Sequence, residues 1–359
     1  MAKGFETDSA KKPGRRGRQS PTIADVARAA GVSPMTVSRV VNGGPNVLAE
    51  TRDRVHAAIA ASGYVPNSAA RSLAGGQHCR IALLHGNPSA AWLSELLVGS
   101  LAGASACNAE LTVEPVDAGE GSAAMASRLL AHRIDAVLLP PPLCDDAALL
   151  AALHDAGLPM AQIATGRPAA FAHAVVIDDE AAAHAMTARL IALGHRRIGF
   201  IAGNPNQTAG ALRRAGYDRA LREAGITLDT RLIADGDFSY RSGLTATEAL
   251  LAGAPRPTAI FASNDDMAAA AIAAAHRLGL EVPGDIAICG FDDTAMATTI
   301  WPELTTIRQP VADMARQAVD LLAGAVRAKL GGREWEAQHR QLAFALIARA
   351  SDTNASATR

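Results

Sequence analysis

The sequence predicts an α/β protein in two parts: an N-terminal all-α headpiece of helix-turn-helix type, and a two-lobed body of parallel sheets covered by helices. Three observations carry that expectation. Residues 22–42 hold two short amphipathic helical patterns joined at a glycine. From Arg80 onward, short apolar runs alternate with helical stretches, and the cycle runs twice. The charge divides at the same place: residues 1–79 carry 11 Lys and Arg against 5 Asp and Glu, and the remaining residues carry 23 against 30. A basic head on an acidic body suits a chain whose head alone meets a polyanion.

Residues 1–20 read as a disordered basic arm, with Lys3, Lys11, Lys12, Arg15, Arg16 and Arg18 set among glycines and little that could be buried. The arm is either a source of salt-sensitive phosphate contacts or a passive tail. In the first helix Ile23, Val26 and Ala27 fall at i, i+3 and i+4. Thr22 precedes them as a candidate N-cap, and Asp25 makes a weak capping box with it. Gly31 ends this helix because it takes positive φ cheaply. Ser33 caps the second helix, and Pro34 fits its first turn, where a backbone donor would be orphaned anyway. Val37, Val40 and Val41 make the buried face, which leaves Pro34, Met35, Thr36, Ser38, Arg39 and Asn42 outward. Two helices joined by a glycine-containing turn place the second in the major groove of DNA; on pattern alone, a plain helical hairpin is the alternative. A third helix follows, with Val55, Ala58, Ile59 and Ser62 at helical spacing, Gly63 closing it and Tyr64-Val65-Pro66-Asn67 as a stop.

The run D-V-A-x-x-A-G-V-S-x-x-T-V-S-R-V-x-N, then T-R-x-x-V and G-Y-x-P-N, resembles the DNA-binding headpiece of the LacI/GalR family of bacterial transcriptional regulators. The match runs from Thr22 to Gly75 without a gap. Leu48 departs from it, standing where the family usually has a small hydroxyl residue to cap the third helix, a cap worth about 0.5–2 kcal/mol. The resemblance implies a symmetric dimer on double-stranded DNA at a near-palindromic operator. It places Thr22, Ser33, Thr36, Ser38 and Asn42 on the DNA side, the last four bonding phosphates and setting register. Arg39 becomes the base reader, bidentate to guanine. Pro34 and Met35 fall at the family's variable specificity positions; being apolar, they suit a thymine methyl or a fit of shape. Residues 67–76 resemble the family's hinge helix, too short to be stable alone and capped by Asn67. On DNA, Ala70 and Ala74 would pack at the minor-groove floor while Leu73 wedges between base steps. A flexible tether is the plainer reading of that stretch.

In the body the expected strands are IALLHG, LTVEPV, DAVLLP, LPMAQIA and Val175–Ile177, with helices at 91–108, 121–132 and 145–156 between them. The cycle then restarts: helix 180–193, RRIGFIAG, helix 207–224, RLIADG, helix 241–253, AIFASN, helix 265–278 and IAICGF. Strand–helix alternation implies parallel sheets with helices on both faces, and two sets imply two lobes. LTTIRQP, Leu304 to Pro310, resembles the family's crossover back into the first lobe, completed by helix 311–329. Residues 341–351 read as one last strand in the second lobe. With these marks the resemblance reaches from about residue 22 to 351, and it implies the fold of periplasmic sugar-binding proteins behind a DNA-binding head. The expected boundaries are 1–20 arm, 21–66 headpiece, 67–79 hinge and linker, and 80–351 effector and dimerisation domain. Within that domain the first lobe takes 80–175 and 308–329, the second 176–305 and 332–351, and 352–359 form a disordered tail.

Ligands in such folds sit outside the carboxyl ends of the strands, here between the lobes. The expected effector-binding residues are Trp92, Gln207, Arg213, Phe238, Asn264 and Asp292, with Thr165 and Asp178 as weaker candidates. By the resemblance Asp292 is the acid that accepts from adjacent hydroxyls, Arg213 donates to ligand oxygens and Phe238 stacks on the effector. Each has a structural competitor: helix caps for Asp292 and Asn264, a surface charge for Arg213, core packing for Phe238 and Trp92. Only Arg213 supplies clear positive charge, which argues for a neutral sugar or small sugar acid over a phosphate; a nucleobase stays open because of the two aromatics.

Other classes are set aside on residue types. No nucleophile–base set, His-rich metal spacing or phosphate loop stands out, so no enzyme, no cofactor and no metal are expected. The cysteines, Cys79, Cys107, Cys144 and Cys289, form no C-x-x-C pair and read as reduced. No apolar run of membrane-spanning length and no export signal are seen, so a cytoplasmic regulator without membrane contact is expected. A solute-binding protein would explain the lobes but not the head. Dimer is expected, tetramer is left open, and no heptad tail follows Ser351.

Overall fold

The computed structural model describes residues 21–41, 47–64, 79–86, 89–116, 119 and 121–352. The chain divides between residues 77 and 78 into two compact units. Asn42, Asn67, Ala70, Leu73 and Ala74, the basic arm and most of the hinge lie outside the described residues.

Among the described residues the first unit holds three helices, α1 (Ile23–Ala30), α2 (Pro34–Val41) and α3 (Ala49–Ser62). Thr22 closes a full capping box on α1: its hydroxyl accepts from Asp25 N, and its own N–H donates to Asp25 Oδ2 at 3.0 Å. The Thr22 hydroxyl also donates to Asp25 Oδ2 at 2.7 Å, and that bond, together with the one from Thr22 N–H, holds the Asp25 carboxyl below its ordinary range. Gly31 ends the helix at φ 64°, a conformation that costs a residue with a Cβ. Val26, Val37 and Val55, one from each helix, are fully buried and meet Ala27, Val40 and Ala58. Burying a valine stabilises by about 1.5–3 kcal/mol, so these three side chains carry much of so small a core.

The body starts with β1 (Cys79–His85), α4 (Ala90–Cys107), β2 (Ala109–Pro115), α5 (Ser122–Ala131), β3 (Ala136–Leu139), α6 (Ala147–Asp155), β4 (Met160–Ile163) and β5 (His173–Val176). The second lobe follows with α7 (Asp179–Ala192), β6 (Ile198–Ile201), α8 (Thr208–Glu223), β7 (Ile233–Ala234), α9 (Tyr240–Ala252), β8 (Ala259–Ala262), α10 (Asp265–Arg277), β9 (Ala287–Cys289) and the short α11 (Met296–Thr299). The chain ends with β10 (Thr306–Arg308), α12 (Val311–Leu330), β11 (His339–Gln341) and β12 (Ala345–Ile347). The first-lobe sheet has the order β11-β5-β4-β3-β1-β2 and is parallel throughout. The second-lobe sheet is β7-β6-β8-β9, also parallel, with Phe200 opposite Phe261. β3, β4, β6, β8 and β9 are buried along their whole length. That is why they read as unbroken apolar runs instead of alternating ones.

Four expectations need correction. The strand expected at 341–351 in the second lobe is two strands, and they part ways: β11 pairs with β5 in the first-lobe sheet, while β12 pairs antiparallel with β10. Strand pairing is long-range, and nothing local distinguishes these two segments. The strand expected at RLIADG shrinks to two residues, because Asp229 caps a 3₁₀ turn over Thr230–Leu232 immediately before it. Asp352, expected in a disordered tail, is buried, accepting from both Arg189 Nε at 2.5 Å and Thr305 Oγ1 at 2.8 Å. Finally, α4 is 18 residues long and apolar enough to cross a membrane by length and composition. Here it is a packing helix. Gly99 lies so close to Ala312 that an added Cβ would sit 2.0 Å from that residue's carbonyl oxygen, which lets α4 press directly on α12.

Candidate DNA-reading helix and effector cavity

In the headpiece, α2 presents Ser33, Pro34, Met35 and Arg39 outward, with Met35 66% exposed. Ser33 Oγ accepts from Thr36 N at 3.1 Å and lies 2.9 Å from Thr36 Oγ1. The first turn is thus capped by the residues expected to face phosphate, which fixes the position of their oxygens. Thr22 spends its hydroxyl on the α1 cap. Thr36 and Ser38 are half-buried at the edge of the exposed face. Leu48, at the α3 N-cap, makes no side-chain cap bond and is 79% exposed; the departure noted in the sequence is a missing cap.

Between the lobes of the body lies a cavity lined by Ser89, Trp92, Pro141, Ala164, Gln207, Ala209, Arg213, Phe238, Asn264, Asp292 and Gln309. All six expected effector residues are on its wall, and they arrive from five separate elements. Thr165 and Asp178 are not among them. Asp178 caps α7 by accepting from Ala181 N, and Thr165 Oγ1 donates to Asp145 at 2.6 Å. The cavity is about 30 Å³, room for about two waters.

Arg213 is the centre of the wall. Its Nε donates to Asp179 Oδ1 at 2.8 Å, its Nη1 donates to Ser263 O at 2.6 Å, and its guanidinium stacks 3.7 Å above the Phe291 ring. It is buried, not a surface charge. Asp292 stands 3.8 Å from Nη1 and accepts from Gln309 Nε2 at 2.6 Å. It is no helix cap: α11 begins four residues later, with Ala295 at its N-cap. Burial pushes the Asp292 carboxyl up to about 7 against the pull of Arg213 and Gln309. Burial likewise raises Asp179 above its ordinary value despite its ion pair. Asn264 does two jobs. Its Oδ1 caps α10 by accepting from Met267 N, and its Nδ2 donates to Phe238 O at 2.9 Å.

Backbone strain gathers here. Of the six described non-glycine residues with positive φ, Ala164 (55°), Phe238 (70°) and Asp292 (118°) line the cavity. Such conformations cost of order 1–3 kcal/mol each and persist where the surroundings enforce them. The Phe238 ring lies against Gly203, where an added Cβ would be 2.0 Å from Cζ. Five wall residues escaped sequence reasoning, and two of them, Ser89 and Gln309, are polar. Ser89 lies three residues before Trp92, and Gln309 lies inside the LTTIRQP crossover. Gln309 Oε1 is buried without a partner among the described residues, so the site holds an acceptor in need of a donor.

Against this geometry, the model for "Bacterial regulatory proteins, lacI family" matches residues 22–67, and that for "Periplasmic binding protein-like domain" matches 187–351. The HTH-type transcriptional regulator CelR of Thermobifida fusca is 37% identical over 320 residues, 86% of this chain and 93% of that one. The chain belongs to the LacI family. Other LacI-family relatives agree with that membership. Catabolite control protein A of Priestia megaterium is 34% identical over 84% of this chain and 91% of its own. The HTH-type transcriptional repressor PurR of Pectobacterium carotovorum is 36% identical over 86% and 91%. Among solved structures, the lac repressor dimer bound to operator and the anti-inducer ONPF superposes with a TM-score of 0.72, at 30% identity over 93% of this chain and all of that one. The CelR–cellobiose complex gives 0.71, at 32% identity over 92% and 99%. The two-part architecture is therefore that of a LacI-family transcriptional regulator, with a DNA-binding head and an effector-type body.

Proposed function

We propose that this LacI-family regulator is a repressor of carbohydrate-utilisation genes whose operator affinity is set by a neutral, sugar-like effector held between its lobes. One observation carries the effector class: Arg213 and Asp292 stand 3.8 Å apart, buried in one cavity with Trp92 and Phe238. A carboxylate accepts from two neighbouring hydroxyls, a guanidinium donates to ring or hydroxyl oxygens, and aromatic faces cover the apolar side of a sugar. Among the described residues Arg213 is the one cationic residue on the wall, and Asp179 behind it already balances its charge. A phosphate or a sugar acid would meet Asp292 with nothing left to offset it. The CelR relative, solved with cellobiose, supports the same class.

On the operator, Arg39 reads guanine, Pro34 and Met35 fit against base edges by shape or a thymine methyl, and Ser33, Thr36, Ser38 and Asn42 hold phosphates. Thr22 fixes the start of the first helix. Asn67, Ala70, Leu73 and Ala74 serve the hinge in the minor groove. A dimer is supported by the first-lobe face on which Val98 (60% exposed), Leu101 (57%) and edge-strand Val113 (50%) remain uncovered, and by the dimeric lac repressor. The regulator works in the cytoplasm, with no catalytic, cofactor or metal role.

The test is operator binding by fluorescence anisotropy at two salt concentrations, using a near-palindrome from the DNA upstream of its own gene. A panel of mono- and disaccharides, cellobiose included, is added in turn. Tight, salt-sensitive binding that one sugar shifts tenfold or more is expected. Binding that no sugar shifts removes the effector class and leaves the repressor; no specific binding removes the repressor.

A further inference from the structure

Helix α8 carries three residues of the cavity wall at or near its start: Gln207 at the N-cap, Ala209 and Arg213. The first N–H groups of any helix lack intrahelical partners and need a cap. Gln207 makes no side-chain cap bond. The cap comes from the other lobe. Asp145, at the end of the 3₁₀ turn Leu143–Asp145, accepts from Thr208 N through Oδ2 at 2.7 Å and from Thr208 Oγ1 through Oδ1 at 2.8 Å. The rest of the joint is also first-lobe: Thr165 Oγ1 donates to the same Oδ1, and Gly166 N donates to Thr208 Oγ1 at 2.7 Å. A second joint lies at the Trp92 side of the cavity. Ser89 Oγ caps α4 by accepting from Trp92 N at 3.3 Å and donates to Asp266 Oδ2, in the first turn of α10, at 2.5 Å.

We infer that Asp145 is a positioning residue for the effector site: it caps α8 across the cleft, so that closing the lobes and ordering the helix start that meets the effector are one event. Asp145 acts through Thr208 on Gln207, Ala209 and Arg213, and touches no ligand itself. With the lobes apart, Thr208 N–H and its hydroxyl lose these partners and the first turn of α8 frays. A ligand that parts the lobes to enter must break this cap, and the cap re-forms over it. Each lobe position then has its own state of α8, which is the two-state element that coupling between a ligand and a distant site requires. The inference rests on the effector reading only for what α8 contacts.

The test is hydrogen–deuterium exchange of the full chain without any added sugar, read on peptides covering residues 207–213. Asp145→Ala should speed exchange there about two- to thirtyfold, the range for loss of a side-chain N-cap. Asp145→Asn should restore most of the protection, because asparagine caps as well as aspartate. Asp266→Ala leaves Asp145 and Thr208 intact but cuts the other joint, and should also speed exchange at 207–213. Unchanged exchange in Asp145→Ala overturns the cap. Faster exchange in Asp145→Ala with none in Asp266→Ala overturns its link to closure. Because no sugar is used, failure here leaves the effector reading standing, and failure of the sugar panel leaves this cap standing.

Discussion

The headpiece and the cavity recognise their partners with opposite constructions. Ser33, Pro34, Met35, Thr36 and Arg39 lie within one seven-residue stretch at the start of the single short helix α2, and a cap from Ser33 to Thr36 N, three residues on, sets their geometry. In the cavity, Ser89, Trp92, Gln207, Arg213, Phe238, Asn264, Asp292 and Gln309 come from both lobes and both ends of the body. The first surface is exposed and works on a polyanion that brings its own field. The second is buried and must supply every partner that its charged groups need. The lesson is where mutations should hurt: in the headpiece they change binding and spare the fold, and in the cavity they damage binding and fold alike.

The largest effect should come from Arg213→Ala. It leaves Asp179 buried without its ion pair, a loss of about 3–5 kcal/mol for breaking a buried pair from one side. Urea unfolding should show it, and the operator response to any sugar should vanish with it. Arg39→Ala is the counterpart in the headpiece. Operator affinity should fall by about 1–3 kcal/mol, the worth of a bidentate base contact, while the urea midpoint stays put. Equal losses of stability in the two variants would erase the contrast.

Gly203→Ala sharpens the cavity side. The new methyl takes the place of the Phe238 ring, so overpacking should cost about 1–3 kcal/mol and effector affinity should drop tenfold or more in calorimetric titration. Leu48→Ser sharpens the headpiece side. It supplies the missing cap of α3 and should stabilise that helix by about 0.5–2 kcal/mol, read as slower hydrogen exchange across residues 49–62.

The smallest effect is on pH. Burial raises Asp292 to about 7, above its ordinary carboxylate range, so the folded protein holds this proton more tightly than the unfolded chain. Its contribution to stability is full at acid pH below the ordinary carboxylate value and is lost as pH rises through about 7. The ionised form is the better acceptor for hydroxyls, so effector affinity should rise severalfold between pH 6 and 8, and Asp292→Asn should flatten that profile. A flat wild-type profile would show that Asp292 does not meet the effector as a carboxylate.

Much of this was legible from residues alone, and for physical reasons. Capping, αL glycine and 3.6-residue periodicity act within a few residues, so Thr22, Gly31, Ser33 and Val37 specify the headpiece locally. Strands buried on both faces announce themselves as apolar runs, and strand–helix alternation dictates parallel sheets in two lobes. Strand ends in such sheets point at the cleft, which is how Asn264 and Asp292 could be named in advance. Tertiary structure alone decided what depends on distant partners. It sent β11 and β12 to different sheets, tied Asp352 to Arg189, drew Ser89 and Gln309 into the wall, and moved Thr165 from ligand candidate to interlobe joint. It also gave α8 a cap from Asp145, more than sixty positions away in the chain, a bond that exists only once both lobes are folded against each other.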